Sequence, residues 1–183
     1  DADWKAYQEN GILDYLLEMK RNGIVRHIGL SSHTPILARQ ILDTGVVDQL
    51  MFSINPAYDY QHGEFAVGSA SERMALYQHC EAEGIGISVM KPYSGGQLLN
   101  AHTSPFGKAL TKYQCLQYSL DKPGVLTVLP GIRNLSDIKS VLGFLDASTE
   151  ERDYSIIGTF TPKDATGTCV YCNHCHPCPA GLN

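Results

Sequence analysis

Apolar residues recur along the chain with two alternating periods. Ile12, Leu13, Leu16, Leu17 and Met19 share one helical face, and Lys20-Arg21-Asn22-Gly23 closes that helix with a basic last turn and a glycine stop. A short apolar run at residues 26–30 predicts a strand. Thr34-Pro35 then reads as a cap with proline at the first helical position, opening a helix through Ile36, Leu37, Ile41 and Leu42 to Gly45. Val46 to Ile54 predicts a second strand, stopped by Asn55-Pro56. A helix through Met74, Ala75, Leu76 and His79 runs to Gly84. Ile85 to Met90 predicts the third strand, and Lys91-Pro92-Tyr93-Ser94-Gly95-Gly96 its exit loop. A helix around residues 108–120 precedes a fourth strand, Val125 to Leu129, which ends in Pro130-Gly131. Two more helices follow, one from Ser136 to about Leu145 and one opened by the capping box Ser148-Thr149-Glu150-Glu151.

Strand followed by helix, four times over, predicts an α/β chain with a parallel sheet. The strands read as apolar on both faces, as parallel strands covered by helices do. An open dinucleotide-binding sheet would carry Gly-x-Gly-x-x-Gly directly after a strand. The nearest candidate, Gly84-Ile85-Gly86, precedes its strand and lacks the third glycine. Small and polar residues gather instead behind each strand: Ser31-Ser32-His33, Asn55, Ser94-Gly95-Gly96 and Gly131-Ile132-Arg133-Asn134. In a barrel of parallel strands that end of the sheet builds the site. Four strands are half of eight, so the expected fold is the C-terminal half of a (β/α)8 TIM barrel over residues 1–160. The polar stretch Thr161–Thr168 marks the boundary to a short Cys-rich segment, 161–183.

The chain of 183 residues holds 14 Lys plus Arg against 19 Asp plus Glu, a formal charge of −5, without a basic run. That balance argues against nucleic acid and anionic membranes as partners. No apolar stretch approaches the roughly 18 residues of a membrane span, and no leader pattern opens the chain. A cytoplasmic location is the expectation, as is a larger protein of which Asp1 to Asn183 is a part. Of six cysteines, Cys80 and Cys115 sit singly in helical patterns and read as small buried hydrophobes, while Cys169, Cys172, Cys175 and Cys178 cluster. A disulfide framework would spread its cysteines, so the cluster reads as a metal or iron–sulfur site.

The segment KRNGIVRHIGLSSH (20–33) resembles a stretch of the aldo-keto reductases, GISVMKPYSGGQLL (86–99) resembles their seventh strand and loop, and VLPGIRN (128–134) their eighth. The tail CVYCNHCHPCPAGLN resembles the ferredoxin-like extension of an iron–sulfur branch of that family. The resemblance implies a barrel that binds NADP or NAD and passes a hydride to a small-molecule carbonyl substrate. The family's catalytic positions lie on earlier strands, upstream of Asp1, so none of these residues inherits a catalytic role. The cofactor-binding positions carried over are Ser31 and Ser32 at the nicotinamide carboxamide, Met90 against the nicotinamide face, Gly95 and Gly96 at the pyrophosphate, and Gly131, Arg133 and Asn134 at the adenosine phosphate. Met51 stands where many members place a carboxamide-binding glutamine. Arg133 suits a 2′-phosphate, whereas Asp137 and Val141 replace residues that often assist it, which leaves NAD and NADP both open.

Cys169-x2-Cys172-x2-Cys175-x2-Cys178-Pro179 resembles the bacterial ferredoxin run, with one residue fewer before the last cysteine. The expected group is a 4Fe–4S cluster. Zinc is the alternative, with His174 and His176 as further donors. Simpler readings stand beside these. Ser31-Ser32-Thr34 also suits a capped turn, Gly95-Gly96 an ordinary turn, and Arg133 a solvated charge. Lys91 reads as structural, His33 as the one histidine of interest for substrate, and Tyr58-Asp59-Tyr60 as a pocket wall or loop packing. Two functional readings remain: part of a nicotinamide-dependent oxidoreductase, or a non-catalytic half-barrel binding module with a zinc-stabilised tail. Open sheet edges in a half-barrel would favour a homo-oligomer or union with a missing N-terminal half.

Overall fold

A computed structural model of the chain describes residues 2–63 and 65–159. The Cys-rich segment, with its boundary and its four cysteines, lies outside the described residues. Helices α1 (Ala2–Glu9) and α2 (Ile12–Arg21) come first, followed by β1 (Gly29–Ser32), α3 (Pro35–Leu42) and β2 (Gln49–Ser53). Next are the short α4 (Pro56–Asp59), α5 (Ala70–Ala82), β3 (Gly86–Met90) and a 3-10 turn, Ser94–Leu99. Helix α6 (Lys112–Leu120), β4 (Val125–Leu129), α7 (Leu135–Leu142) and α8 (Thr149–Arg152) follow.

The four strands form one sheet in the order β1-β2-β3-β4, and every neighbouring pair is parallel. The order never reverses, which separates this sheet from the doubly wound arrangement and matches strands laid side by side around a barrel. Register places Leu30, Leu50 and Ile87 in one row, and Ser32, Phe52 and Val89 in the next. Leu50, Phe52, Ile87 and Val89 are fully buried and form one core with Ile41 and Leu42 of α3, Leu76, Tyr77 and Cys80 of α5, and Cys115, Leu116 and Tyr118 of α6. The alternate row, Ser31, Met51 and Ser88, points the other way. There Gln49 Nε2 donates to Ser88 Oγ, and Met51 stays 36% exposed.

Apolarity on both faces, expected from the sequence, therefore does not hold across the sheet. It describes β3 best. The outer strand β4 leaves Leu126 74% and Leu129 47% exposed, and β1 is Gly-Leu-Ser-Ser with no buried member. Strand β1 also begins three residues later than the apolar run suggested, so Ser31 and Ser32 belong to the strand itself. Residues 26–28 act as its anchor: Asp48 accepts from Ile28 N at 2.8 Å and pairs with Lys20 of α2 at 2.6 Å. The fourth predicted helix starts at Lys112, where Thr111 and Gln114 form a capping box. Helix α1 was not foreseen, because it buries no residue and leaves no apolar stripe.

A cluster of charge crosses the back of β2. Asp59, at the end of α4, accepts from Arg73 Nε at 2.7 Å, Tyr77 Oη at 3.2 Å and Tyr118 Oη at 2.5 Å. Arg73, wholly buried, also donates to the carbonyl of Ser53 and lies over the Phe52 ring. Within Tyr58-Asp59-Tyr60, the aspartate is the anion of a buried network. Gly124 turns the chain into β4 at φ +72°. A Cβ there would meet Glu81 N at 3.1 Å, and its carbonyl accepts from Ile87 N at 2.8 Å.

Removing one member of a buried pair strands the other's charge, typically at a cost of about 3–5 kcal/mol. Asp59→Ala is expected to lower unfolding stability by that order in urea titration. Tyr118→Phe, which leaves the carboxylate two donors, is expected to lose roughly 1–3 kcal/mol.

Candidate cofactor cleft

Because the strands are parallel, their four carboxyl ends lie along one rim, and the polar residues that follow them share it. The chain leaves β3 through a strained passage. Lys91 and Ser94, neither a glycine, adopt φ of +57° and +50°. The Lys91 carbonyl is held by Asn55 Nδ2 at 2.8 Å, while Asn55 Oδ1 caps α4 by accepting from Tyr58 N at 3.0 Å. One buried asparagine thereby fixes the exits of β2 and β3 relative to each other. Gly95 and Gly96 follow at φ +67° and +95°, and a Cβ built on either meets nothing within 4 Å. Their backbone is open on the side where a ligand would approach.

This loop forms one wall of a cleft of about 650 Å³, lined among others by Lys91, Tyr93, Gly95, Gly96, Lys112, Gly131, Arg133 and Asp137. Four of the predicted cofactor residues, Gly95, Gly96, Gly131 and Arg133, are brought together here. Asn134 caps α7 at the cleft's edge, its Oδ1 accepting from Asp137 N at 3.0 Å. Asp137 Oδ2 accepts from the Arg133 backbone N–H and from Nε, both at 3.2 Å, and Oδ1 lies 3.7 Å from Lys112 Nζ. Those Arg133 hydrogen bonds hold the Asp137 carboxyl below the usual carboxylate range. Tyr93 is 8% exposed, and its buried hydroxyl has no hydrogen-bond partner among the described residues. Burial raises its pKa.

The remaining predicted residues stand elsewhere on the rim. Ser31 is exposed and sits beside Met51 in the register. Ser32 Oγ accepts from Thr34 N at 3.1 Å, so its hydroxyl serves the turn into α3. Met90 ends β3 beside Ser53 and Leu129. His33 lies between β1 and the loop after β2: Nδ1 is 3.2 Å from Ser53 Oγ and the ring is 4.6 Å from that of Phe65, over which Lys91 Nζ also sits. Sequence reasoning missed Lys112 and Tyr93 as cleft residues. Tyr93 carries a signal, its place in the exit loop of β3. Lys112 carries none, since it arrives from the first turn of α6 and donates to Ser140 at 3.2 Å.

Among the described residues, no group of three or more His, Cys, Asp or Glu is placed to hold a metal ion. Cys80 and Cys115 are buried and unpaired, and burial pushes their thiols up to about 11 and about 12, which leaves them inert at neutral pH. Cys169, Cys172, Cys175 and Cys178 lie outside the described residues. No described helix is long and apolar enough to cross a membrane.

The sequence profile of the aldo/keto reductase family matches residues 2–112. The chain belongs to the aldo/keto reductase family. Of the predicted cofactor residues, Ser31, Ser32, Met90, Gly95 and Gly96 fall within the matched span, whereas Gly131, Arg133 and Asn134 follow it. Comparison with the curated proteins gave no match. Among solved structures, this aldo/keto reductase chain resembles the aldo-keto reductase AKR11C1 from Bacillus halodurans in its holo form, with a TM-score of 0.61 and 17% identity over 82% of this chain and 55% of that one. The apo form gives the same TM-score and identity. A thermostable aldo-keto reductase, Tm1743, crystallised with the inhibitor epalrestat, gives a TM-score of 0.52 and 20% identity over 81% of this chain and 53% of that one. At such identities the likeness is one of fold. The chain spans about half the length of the solved structures it matches.

His33 yields a test of the rim's electrostatics. Burial first, then Lys91 and Arg73, lower its pKa from the ordinary 6.5. Folded protein then binds fewer protons than unfolded chain just below that value, so stability is full above pH 6.5 and falls as the pH drops towards the depressed pKa. Thermal melts at pH 7.5 and 5.5 are expected to show a smaller acid loss for His33→Gln than for the wild type.

Proposed function

We propose that this chain contributes the dinucleotide-holding half of a nicotinamide-dependent aldo-keto reductase that reduces a small-molecule carbonyl compound. The observation that supports this reading best is the cleft in which Gly95 and Gly96 meet Gly131 and Arg133. The residues present suit a dinucleotide diphosphate. Two successive glycines offer unobstructed backbone, the N-terminal turn of α7 opens beside them, and Lys112 and Arg133, which both face Asp137, bring positive charge to the cleft. Gly95 and Gly96 would hold the diphosphate, with Gly131, Arg133 and Asn134 at the adenosine end. Ser31, Ser32 and Met90 would form the nicotinamide end of the same rim. When bound, the nicotinamide supplies a hydride to the carbonyl carbon. Neither NAD nor NADP is singled out by the glycine backbone alone, and no described residue is assigned a catalytic role.

In the same reading residues 1–160 are the C-terminal half of a (β/α)8 barrel, and 161–183 a linker and Cys-rich tail. The unbroken strand order, the exposed Ser31 and Met51, and the exposed Leu126 and Leu129 of β4 support a sheet that is completed by further strands. Those strands come from an N-terminal half or from a second copy of this chain. Cys169, Cys172, Cys175 and Cys178 are read, on their spacing alone, as ligands of a 4Fe–4S cluster for electron transfer, zinc being the alternative.

Titration with NADH and NADPH, followed by nucleotide fluorescence, tests the first reading. Saturable binding of at least one is expected, and binding of neither would overturn it. Anaerobic purification with metal and sulfide analysis tests the second: iron with acid-labile sulfide is expected, and zinc alone would replace the cluster with a structural ion.

A further inference from the structure

The distal end of the cleft carries an ion cluster whose charge arrangement bears on which dinucleotide it accepts. Arg133 is the group best suited to grip a phosphate, because its guanidinium is a planar fork and its side chain is 84% exposed. Yet its Nε and its own backbone N–H both donate to Asp137, whose side chain is only 14% exposed. The second nearby cation, Lys112, also faces Asp137, at 3.7 Å. The carboxylate sits in the first turn of α7, where the helix dipole favours a negative charge, and the Asn134 cap fixes its backbone. Asp137 is thus a fixed, ionised acceptor already hydrogen-bonded to Arg133, with Lys112 close by and itself bonded to Ser140.

We infer that Asp137 makes this cleft select the dinucleotide whose adenosine ribose carries a free 2′-hydroxyl, NADH, and reject the 2′-phosphorylated form, NADPH. This rests on the proposed placement of the adenosine end at Gly131–Asn134. A carboxylate offers about four acceptor positions. Arg133 occupies two of them, and Lys112 approaches a third. A ribose diol, neutral and rich in donors, adds to the remaining capacity without disturbing those partners. A 2′-phosphate brings close to two negative charges and no comparable donor. To reach the Arg133 fork it must lie within a few ångströms of a like charge, or displace the carboxylate and leave it short of partners in a mostly buried position. Both routes weaken binding. Exposure of the outer guanidinium nitrogens does not remove the penalty, because the Nε side of the fork stays committed to Asp137.

The test compares the affinities of NADH and NADPH for the full chain and for Asp137→Asn, by fluorescence titration, with circular dichroism as a check on folding. The wild type is expected to bind NADH at least about tenfold more tightly. In Asp137→Asn, NADPH affinity is expected to rise about tenfold while NADH loses a few-fold, so that the preference is nearly abolished. Adenosine 5′-monophosphate and adenosine 2′,5′-bisphosphate, titrated against the wild type, supply a readout that does not depend on the variant folding; the monophosphate is expected to win. A wild type that prefers NADPH and the bisphosphate overturns the inference, as does a variant that shifts both dinucleotides equally, and in either case the dinucleotide reading stands. Binding of neither dinucleotide overturns the cleft reading itself and this inference with it.

Discussion

Asp59 carries a negative charge into a region otherwise filled by Phe52, Tyr77 and Tyr118, and it persists there because three donors close around it. Those donors come from α5 and α6, while Asp59 itself ends α4. Arg73 extends the network to the Ser53 carbonyl at the last residue of β2. A hydrophobic contact at this point would tolerate sliding and rotation. A charge that must keep all its partners does not, since each lost donor exposes it to a low-dielectric surrounding. The carboxyl end of β2 is therefore fixed relative to three helices at once, and the rim inherits that fixity. Asn55 follows two residues later and transmits it to β3 through the Lys91 carbonyl. Strain at Lys91 and Ser94 is stored where two neighbours over-determine the backbone.

The fold was legible in the sequence where burial and local chemistry agree. Helices α2, α3, α5 and α7 each carry an apolar stripe or a terminal signal, and Ser148 with Glu151 forms the reciprocal cap that their spacing predicts. Strand β3 was read almost to the residue because both its faces are covered. The errors fall where one of these conditions fails. Residues 26–28 look like strand because Ile28 is buried, but Asp48 and Lys20 hold them as an anchor. Helix α4 is only four residues long and owes its existence to Asn55, too brief a signal for periodicity to register.

The site was legible in a different measure. Glycines and hydroxyls behind the strands marked the rim, because position after a strand is a linear property. What each residue does there was not linear. Ser32 looks equivalent to Ser31 in sequence, yet its hydroxyl is taken by Thr34 N in the turn. Asp59 gave no sign of its ion pair, since Arg73 lies fourteen positions away on another helix. Lys112 joins the cleft only because α6 begins beside the β3 exit. Asp137 and Arg133, four residues apart across a helix start, are the exception. Their pairing follows from local helical geometry and is as much a property of the sequence as of the fold.

The sheet has a direction. Each backbone pairing between its strands is a parallel ladder, and its outer strands, β1 and β4, are each paired on one side only among the described residues. A polypeptide that extends either border by the same ladder has to run the same way as its neighbour. Its own strands would then terminate level with Ser32 or Leu129, and whatever side chains trail them would be delivered beside Gly95 and Gly131 without any separate aiming device. Polarity of the backbone, set once, would bring the reactive groups of one segment and the nucleotide of another to a common mouth.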